Sequence, residues 1–524
     1  MTSACCSRAW AGRSVAILCV LAVLSISLRF YALGAQGLWS DELFSLSIIT
    51  QVGQGRPWYD YVPKLFPDLR IGDSALTWKA GENSPPLFEA LLWLWTSVFG
   101  VSDFAVRALS AVAGSLAPLV LFSGLRRPLG LWAAGGAALL FALSPSAVTY
   151  AQEARGYALL MLLATCAVVR LIRYVLLPEE RQFFGLDVML YVLLSYTHYT
   201  GLVLACGLVA VRLAWASWQG RSLREFRWAV CVPVLLAPWL YLNWFSMAET
   251  GTGRFGWRDY DWADIWTLML PKAAGYFVPG YALWALLAAS LVGATWEIRY
   301  ALRGDAAGNG VWARWLLVAA FAGMLVLHFG YGIYTAFHAR VWHERYFSAM
   351  LPVGMALFAL LFSLSGRAPL MPILAVTAGC MVSVPALLTS YYKPWKEEYR
   401  EASSFIAQTA RGDKKITVVA TWAPNAIYFN YYLRTFMAEE NKRYTLTTVG
   451  AQDDISQGVD DLCRHAWAPG EQVILFQHQM HRFYRDLLDS RCAGVLHRVS
   501  GQEFRGVFVD FYETLAPQPT MGNE

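Results

Sequence analysis

Charged residues are scarce in this sequence: Lys, Arg, Asp and Glu make up 15% of the 524 residues, whereas hydrophobic residues make up 57%. Soluble domains carry about 25% charged residues, so this composition excludes a soluble protein of this length. The nine cysteines form no CxxC pair and no Cys/His pair at metal-ligand spacing, which argues against a zinc site. Internal repeats are lacking as well, and the net charge of +5 is too modest to indicate nucleic-acid binding.

What the sequence does contain is a series of apolar runs, each about as long as the 20 residues that cross a bilayer as a helix. We predict eleven spans, near residues 14–33, 105–124, 131–149, 155–177, 184–198, 199–217, 228–246, 281–299, 314–334, 346–365 and 369–390. A further run at 85–100 is short, opens with two prolines and carries Glu89, so we expect an interfacial helix there. The predicted fold class is therefore mainly α, a polytopic membrane protein with about eleven transmembrane helices plus interfacial helices.

The distribution of arginine decides the orientation of these spans, because positive residues collect in cytoplasmic loops. With a cytoplasmic N-terminus and a non-crossing segment at 85–100, the arginine-rich loops all lie inside. These loops contain Arg126, Arg127, Arg170, Arg173, Arg181, Arg221, Arg224, Arg227, Arg299, Arg303, Arg314 and Arg367. The polar segments 34–104, 150–154, 247–280, 335–345 and 391–524 then share the outer face, where neither ATP nor nucleotide sugars are available.

The composition changes near residue 391 to that of a soluble domain. The runs KITVVAT, EQVILFQ and VFVDFYETL predict β-strands, and the pattern at 395–410 predicts an amphipathic helix. We therefore predict a transmembrane domain over 1–390, in which 34–104 is the first extracytoplasmic loop, and a small extracytoplasmic α/β domain over 391–524. Cys463 and Cys492 lie in the second domain, either as a disulfide or as two thiols.

Polar residues gather at four places on the predicted outer face, each next to the end of a span. The candidate site residues are Asp41 and Glu42; Asn83 and Ser84; Glu153, Arg155 and Tyr157; and Arg340, His343, Arg345 and Tyr346. Helix capping, interfacial ion pairs or aromatic belts would explain any one of them. Arginine is disfavoured on the outer face, so its repeated occurrence there beside carboxylates indicates a function, such as binding a lipid phosphate. His198, between the fifth and sixth spans, is a weaker candidate.

Five motifs carry a resemblance to a known family. They are WSDE, NSPPLFEALLWLWTSVFGVSDFAVRALSA, LSPSAVTYAQEARGYAL, ERYFSAMLP and KPWKEEYREASSFI. In order, spacing and predicted side of the membrane they resemble the C-type glycosyltransferases. The similarity is to the branch related to protein O-mannosyltransferases, lipid A aminoarabinose transferases and bacterial transferases that use polyprenyl-phosphate sugars. It covers most of the membrane region and reaches the start of the C-terminal domain.

The resemblance implies a role for each matching residue. Asp41 would deprotonate the acceptor hydroxyl, and Glu42 would orient acceptor or donor. Contacts to the donor phosphate or sugar are implied for Arg155, Arg345 and Tyr346, and the nearby Tyr157, Arg340 and Glu153 are candidates for the same contacts. Where the family often has His before the PPL motif, this chain has Asn83 and Ser84, so one of these replaces that contact or the donor sugar differs. His198 and His343 are further candidates for acceptor or sugar contacts.

The expected activity is inverting transfer of a sugar from a polyprenyl-phosphate donor to a hydroxyl of a glycolipid, glycan or protein, at the outer face of a bacterial inner membrane. No cofactor is required by this reaction. The sequence is also compatible with a divalent cation bound at the Asp41 and Glu42 pair. A transporter or flippase of a polyprenyl-linked glycan would also need outer-face arginines. The lack of internal repeats and the mostly unbroken spans disfavour it. A non-catalytic scaffold would leave the arginine and acidic clusters without a task.

Overall fold

The computed structural model describes residues 2–49, 84–180, 183–222, 228–250, 259–277, 309–364, 370–392, 394–421, 423–449, 455–479 and 483–515. The chain divides into two compact units. The membrane unit comprises Met1–Leu33 and Lys79–Lys393, and the C-terminal unit comprises Gly34–Trp78 and Pro394–Glu524. The division at 393 lies three residues from the predicted domain boundary at 390. Residues 34–49, which are described and lie in the predicted first extracytoplasmic loop, belong to the C-terminal unit.

Helices account for most of the described residues. In chain order they are α1 (Thr2–Phe30), α2 (Ser40–Ile49), α3 (Leu87–Phe99), α4 (Asp103–Leu125), α5 (Leu131–Leu143), α6 (Pro145–Ala151), α7 (Tyr157–Leu176), α8 (Phe184–Thr197), α9 (Tyr199–Trp218), α10 (Cys231–Thr250), α11 (Leu270–Phe277), α12 (Asn309–Ala339), α13 (Leu351–Leu364), α14 (Leu370–Tyr392), α15 (Tyr399–Thr409), α16 (Ala423–Glu439), α17 (Ile455–Arg464) and α18 (Phe483–Arg491). A π-helical segment, Ile265–Met269, precedes α11, and a 3-10 helix, Glu344–Ala349, precedes α13. The prediction of a mainly helical protein is confirmed.

Five helices of the described residues, α1, α4, α7, α9 and α12, are long and apolar enough to cross a membrane. The pair α5 and α6 adds a sixth if the two count as one span. Helices also occupy the predicted spans at 184–198, 228–246, 346–365 and 369–390, although the apolar stretch of each is only 10–17 residues long. The predicted span at 281–299 lies outside the described residues. The total of eleven therefore stays a prediction.

Helix α3 coincides with the segment expected to lie along the interface. It has 13 residues, so it is about 20 Å long and shorter than a hydrocarbon core of about 30 Å. Its Trp95 indole donates to the carbonyl of Ala105 on α4 at 2.9 Å. Phe88 packs so closely on the chain at Gly156 that a β-carbon there would lie 3.1 Å from that of Phe88.

The third predicted span is bent by 56° between α5 and α6. Pro145 begins α6, where its missing N–H costs nothing, and the Ser144 side chain accepts from the backbone N–H of Ala147. The break leaves carbonyls at the end of α5 without helical partners. Arg29, a fully buried residue of α1, donates to the carbonyls of Phe141 and Ala142 at 3.4 and 3.1 Å. A buried cation thus stabilises the C-terminal end of α5.

The ends of α7, α8 and α9 that we predict to be cytoplasmic are joined by ion pairs. Asp187, on α8, is buried; it forms an ion pair with the Arg212 guanidinium at 2.7 Å and accepts a hydrogen bond from Arg170 at 2.5 Å. Arg212 is fully buried, and its guanidinium also lies over the ring of Tyr174 at 4.2 Å. We call Arg170, Asp187 and Arg212 the ion-pair network.

The C-terminal unit contains a five-stranded sheet. Its strands are β1 (Ile416–Thr421), β2 (Thr445–Val449), β3 (Gln472–His478), β4 (Leu496–Phe504) and β5 (Val507–Thr514). They lie in the order β2-β1-β3-β5-β4, with β1 parallel to β2 and β3, and β5 antiparallel to β3 and β4. The three predicted strands correspond to β1, β3 and β5. Every residue of β1 and β3 is buried, which explains their continuous apolar runs.

Helix α15 lies within the predicted amphipathic segment at 395–410. Cys463, on α17, and Cys492, directly after α18, form a disulfide, which resolves the alternative that the sequence left open. The bridge joins residues 29 apart in sequence and lies beside a small core that includes Val459, Tyr484 and Leu488.

Candidate active site

Part of the predicted site forms one cluster in the membrane unit. Tyr157, at the start of α7, lies 5.3 Å from the ring of Tyr150 and 5.9 Å from that of His198. The His198 ring lies 5.8 Å from that of Tyr346, and the Arg345 guanidinium lies over the Tyr157 ring at 5.9 Å. We call Tyr150, Tyr157, His198, Arg345 and Tyr346 the aromatic–arginine cluster. Its members come from three stretches that are distant in sequence.

Arg155 lies in the short turn between α6 and α7, where backbone hydrogen bonds hold it in place. Its N–H donates to the carbonyl of Glu153 at 2.8 Å, and its carbonyl accepts from the Ser110 hydroxyl at 3.1 Å. Arg155 is half-buried, whereas Glu153 is 2% exposed. Both the Glu153 carboxylate and the Arg345 guanidinium interact electrostatically with the Tyr150 hydroxyl. The Glu153 carboxylate and the Arg345 guanidinium therefore both lie near the Tyr150 hydroxyl.

Arg345 is positioned by the 3-10 helix that opens the ERYFSAMLP motif. The His343 ring accepts from the backbone N–H of Arg345 at 3.3 Å and caps this helix. The Arg345 carbonyl accepts from the Ser348 hydroxyl, which is also 2.7 Å from the hydroxyl of buried Tyr276. Glu344 lies 3.6 Å from the ammonium of Lys272. The rigid turn thus directs Arg345 toward the ring of Tyr157.

Two other predicted residues, Arg340 and Ser84, fall within the described part of the chain. Arg340, which has a left-handed backbone with φ of 55°, pairs at 2.9 Å with Asp259. Both side chains of that pair are at least half exposed, so the pair contributes little stability. Ser84 is half-buried before α3, and Asn83 lies outside the described residues.

The acidic pair belongs to the C-terminal unit, at the first turn of α2. Glu42 is fully buried, and both of its carboxylate oxygens accept from the Lys396 ammonium, at 3.2 and 3.1 Å. Its Oε2 atom also accepts from the backbone N–H of Trp39 at 3.3 Å, which caps the helix. Asp41 is only half-buried. The two neighbouring carboxylates therefore have different environments, and Asp41 is the more accessible proton acceptor.

A second set of polar residues in the C-terminal unit surrounds the same turn. Glu397 accepts from the backbone N–H of Ser40 at 3.0 Å through Oε2 and pairs with the His478 ring at 2.8 Å through Oε1. Burial raises the pKa of Tyr399 well above its ordinary value of 10, and the carboxylates of Glu397 and Asp41 raise it further. The Tyr399 hydroxyl therefore stays protonated and donates to Glu397.

Sequence reasoning placed none of Lys396, Glu397 or His478 in the site. The available signal was the KPWKEEYREASSFI motif, which we used for the resemblance but not for individual roles. Among the residues that the structure describes, no group of three or more His, Cys, Asp and Glu side chains is arranged to hold a metal ion. Because both oxygens of Glu42 accept from Lys396, a cation at the acidic pair would compete with that ammonium.

The comparisons with known proteins agree with the motif-based resemblance. Residues 83–244 match the family described as dolichyl-phosphate-mannose-protein mannosyltransferase. The matched segment contains Arg155, Tyr157 and His198 and ends before Arg345. This match confirms the predicted resemblance to the C-type glycosyltransferases. No curated protein matches the chain.

Several solved structures are similar over much of the chain. ArnT from Cupriavidus metallidurans in the apo state is 16% identical with a TM-score of 0.42, over 97% of this chain and 98% of that one. The same protein bound to undecaprenyl phosphate is 16% identical with a TM-score of 0.41, over 96% and 98%. The Archaeoglobus fulgidus oligosaccharyltransferase in complex with zinc and sulfate is 14% identical with a TM-score of 0.48, over 82% and 62%. These likenesses are remote, and the family match is the firmer finding.

Proposed function

We propose that this chain, whose residues 83–244 match the dolichyl-phosphate-mannose-protein mannosyltransferase family, transfers a sugar from a polyprenyl phosphate to an acceptor hydroxyl with inversion. The observation that carries the proposal is the aromatic–arginine cluster. Three of its five residues lie in the matched segment, and the Arg345 guanidinium lies over the ring of Tyr157 at the start of a membrane helix. Such a place suits a ligand with an apolar tail and an anionic head.

The donor side of the reaction follows from the chemistry of the phosphate. In a polyprenyl-phosphate sugar the leaving group is the lipid phosphate, whose negative charge increases as the anomeric C–O bond breaks. Guanidinium groups donate charge-assisted hydrogen bonds to phosphate and stabilise that charge in the transition state. We assign this role to Arg155 and Arg345, with Tyr157 and Tyr346 contacting the sugar or the phosphate.

The acceptor side requires a base. We assign it to Asp41: its carboxylate takes the hydroxyl proton while the acceptor oxygen bonds to the anomeric carbon and the lipid phosphate leaves from the opposite face. The configuration at that carbon is thereby inverted. Because Glu42 is buried against Lys396, it serves in this scheme to hold the first turn of α2 and not to receive the proton.

Two observations support an extracytoplasmic reaction. Arginine-rich loops fall on one predicted side of the membrane, and the acidic pair and the C-terminal unit fall on the other. The Cys463–Cys492 disulfide in that unit suits an oxidising compartment. We therefore propose a bacterial inner-membrane location with the site facing outward.

Transfer by the purified full-length chain tests the proposal. Undecaprenyl phosphate carrying mannose, glucose or 4-amino-4-deoxyarabinose is supplied in detergent with envelope glycolipids as acceptors, and release of undecaprenyl phosphate is measured. Turnover of one donor is expected, and Asp41→Asn should abolish it while the protein still binds undecaprenyl phosphate. Full turnover by that variant would remove Asp41 as the base. In proteoliposomes, movement of the donor across the bilayer without release of sugar would instead support the transporter.

A further inference from the structure

The first turn of α2 is held mainly by residues about 355 positions away in the chain. The backbone N–H of Ser40 donates to Glu397 Oε2 at 3.0 Å. The amide oxygen of Gln36 accepts from the N–H groups of Trp395 and Lys396 at 3.2 and 3.3 Å. All of these residues belong to the C-terminal unit. Residues 395–397 thus supply hydrogen-bond partners to the first turn of α2 and to Gln36 just before it.

Glu397 is the central residue of this arrangement. Its side chain is 14% exposed; Oε2 accepts from the Ser40 N–H, Oε1 pairs with the His478 ring, and the carboxylate also accepts from the Tyr399 hydroxyl. A carboxylate at a helix N-terminus is favoured by the helix dipole, and a hydrogen bond to the first N–H fixes where that turn lies. A β-carbon at Gly506 would lie 2.7 Å from the Glu397 side chain, so the strand end also confines it.

Lys396 secures the next residue of the turn. Its ammonium is 6% exposed and lies within 3.2 Å of both oxygens of Glu42. A buried ion pair is rarely a large net gain in stability, but it does specify one geometry, because removing either partner leaves an uncompensated charge. Asp41 lies between Ser40 and Glu42 in the chain, so both of its neighbours are held by consecutive residues of one segment.

We propose that Glu397 and Lys396 are positioning residues for Asp41, acting through the Ser40 N–H and the Glu42 carboxylate. This inference rests on the proposed function, because it concerns Asp41 as the base. A displaced carboxylate transfers protons slowly even when the donor is bound normally, since general-base catalysis requires hydrogen-bond reach to the acceptor hydroxyl. The effect of losing either contact is therefore expected in kcat and not in donor affinity.

The test compares two adjacent glutamates in the full-length protein. Glu397→Ala is expected to lower kcat at least tenfold, with KM for the active undecaprenyl-phosphate sugar and binding of undecaprenyl phosphate changed less than twofold. Glu397→Gln keeps an oxygen that can accept from Ser40 and should retain kcat within about threefold. The matched control is Glu398→Ala, because Glu398 pairs with Arg505 at 2.9 Å and makes no contact with the α2 turn among the described residues. It should leave kcat unchanged.

Hydrogen exchange provides a readout that does not depend on activity. In Glu397→Ala the backbone amides of residues 39–43 should exchange at least tenfold faster than in the native protein, and in Glu398→Ala they should not. Unchanged exchange in Glu397→Ala would overturn the proposal, as would faster exchange with native kcat. Equal losses of kcat in the Ala and Gln variants would exclude the hydrogen bond to Ser40 as the cause.

Two further results keep the inference separate from the proposed function. If Glu397→Ala does not fold, Ser40→Pro removes the same hydrogen bond from the donor side at a helix start that tolerates proline. A folded Ser40→Pro variant with native kcat would then contradict the proposal. If none of the three donors turns over, the proposed activity fails, while exchange at residues 39–43 still decides whether Glu397 holds the turn.

Discussion

An arginine side chain lies at each end of helices α7, α8 and α9, and the two have different surroundings. At one end Arg212 is fully buried and paired with Asp187 at 2.7 Å. At the other end Arg345 is half-buried and lies over the ring of Tyr157. The first arrangement neutralises the charge inside the protein. The second keeps a cation beside polarisable rings, where an anionic ligand can approach it. The same residue type therefore stabilises the bundle at one end and is suited to binding at the other.

Removing Arg212 should have the largest effect on stability. In Arg212→Met the buried Asp187 keeps only its pair with Arg170, and breaking a buried pair costs about 3 kcal/mol. The free energy of unfolding in detergent, from SDS titration, should fall by about that amount, whereas transfer per folded molecule stays native. The double variant Arg212→Met with Asp187→Leu should recover most of the loss. A single variant as stable as the native protein would contradict the structural role of the network.

Removing Arg345 should have the opposite result, a large loss of transfer with little change in stability. We expect Arg345→Ala to lower transfer about a hundredfold, equivalent to about 2.7 kcal/mol of transition-state stabilisation, with stability changed by less than about 1 kcal/mol. Undecaprenyl-phosphate binding and the unfolding free energy are measured on the same preparation. Suppose instead that the unfolding free energy falls as far as in Arg212→Met while undecaprenyl-phosphate binding per folded molecule is native. Arg345 would then be a structural residue like Arg212 and not a binding residue.

The Tyr157 ring should contribute a smaller share to the same site. A cation–π contact is worth about 0.5 to 2 kcal/mol, so Tyr157→Leu should weaken undecaprenyl-phosphate binding by about threefold to tenfold. Tyr157→Phe keeps the ring and should bind within about twofold of native. Equal weakening in both variants would assign the effect to the hydroxyl and not to the ring face.

The smallest effect is expected at Arg340, although it lies in the same motif region as Arg345. Its partner Asp259 has 79% of its side chain exposed, and exposed pairs contribute about 0 to 1 kcal/mol. Arg340→Ala should therefore leave transfer, undecaprenyl-phosphate binding and stability within about twofold or 0.5 kcal/mol of native. A loss of binding close to that of Arg345→Ala would place Arg340 in the donor site, as predicted from the sequence.

Periodicity and apolar length allowed the helices of the membrane unit and the three buried strands to be predicted. Strands β2 and β4 were missed because they lack a continuous apolar run: seven residues of β4 are exposed. The bend after α5 was missed too, since the run at 131–149 is mostly apolar and only the Ser144–Pro145 pair signals the break. Local patterns identify elements well when one face is buried, and poorly when the element is polar or its partner is distant.

The candidate site shows the same limit more sharply. The sequence alone indicated that Asp41 and Glu42 begin a helix and that Arg155 and Arg345 lie on one predicted side. Which of the two acids is buried could not be inferred, because Lys396 lies 354 residues from Glu42 in sequence. Likewise, nothing local to Arg340 separates it from Arg345. The environments of these residues depend on contacts between segments that are distant in sequence, and such contacts cannot be inferred from hydrophobic periodicity.

The Glu42–Lys396 pair also has a consequence for the order of events during synthesis. At about 5 to 20 residues per second, a ribosome needs about 20 to 70 seconds to add the 354 residues that separate the carboxylate from its ammonium. During that time Glu42 has emerged without the group that neutralises it, so the start of α2 has to remain hydrated or protonated. The C-terminal unit can form this pair only after translation has passed residue 396. A chain released before that residue would contain Glu42 without the ammonium that neutralises it.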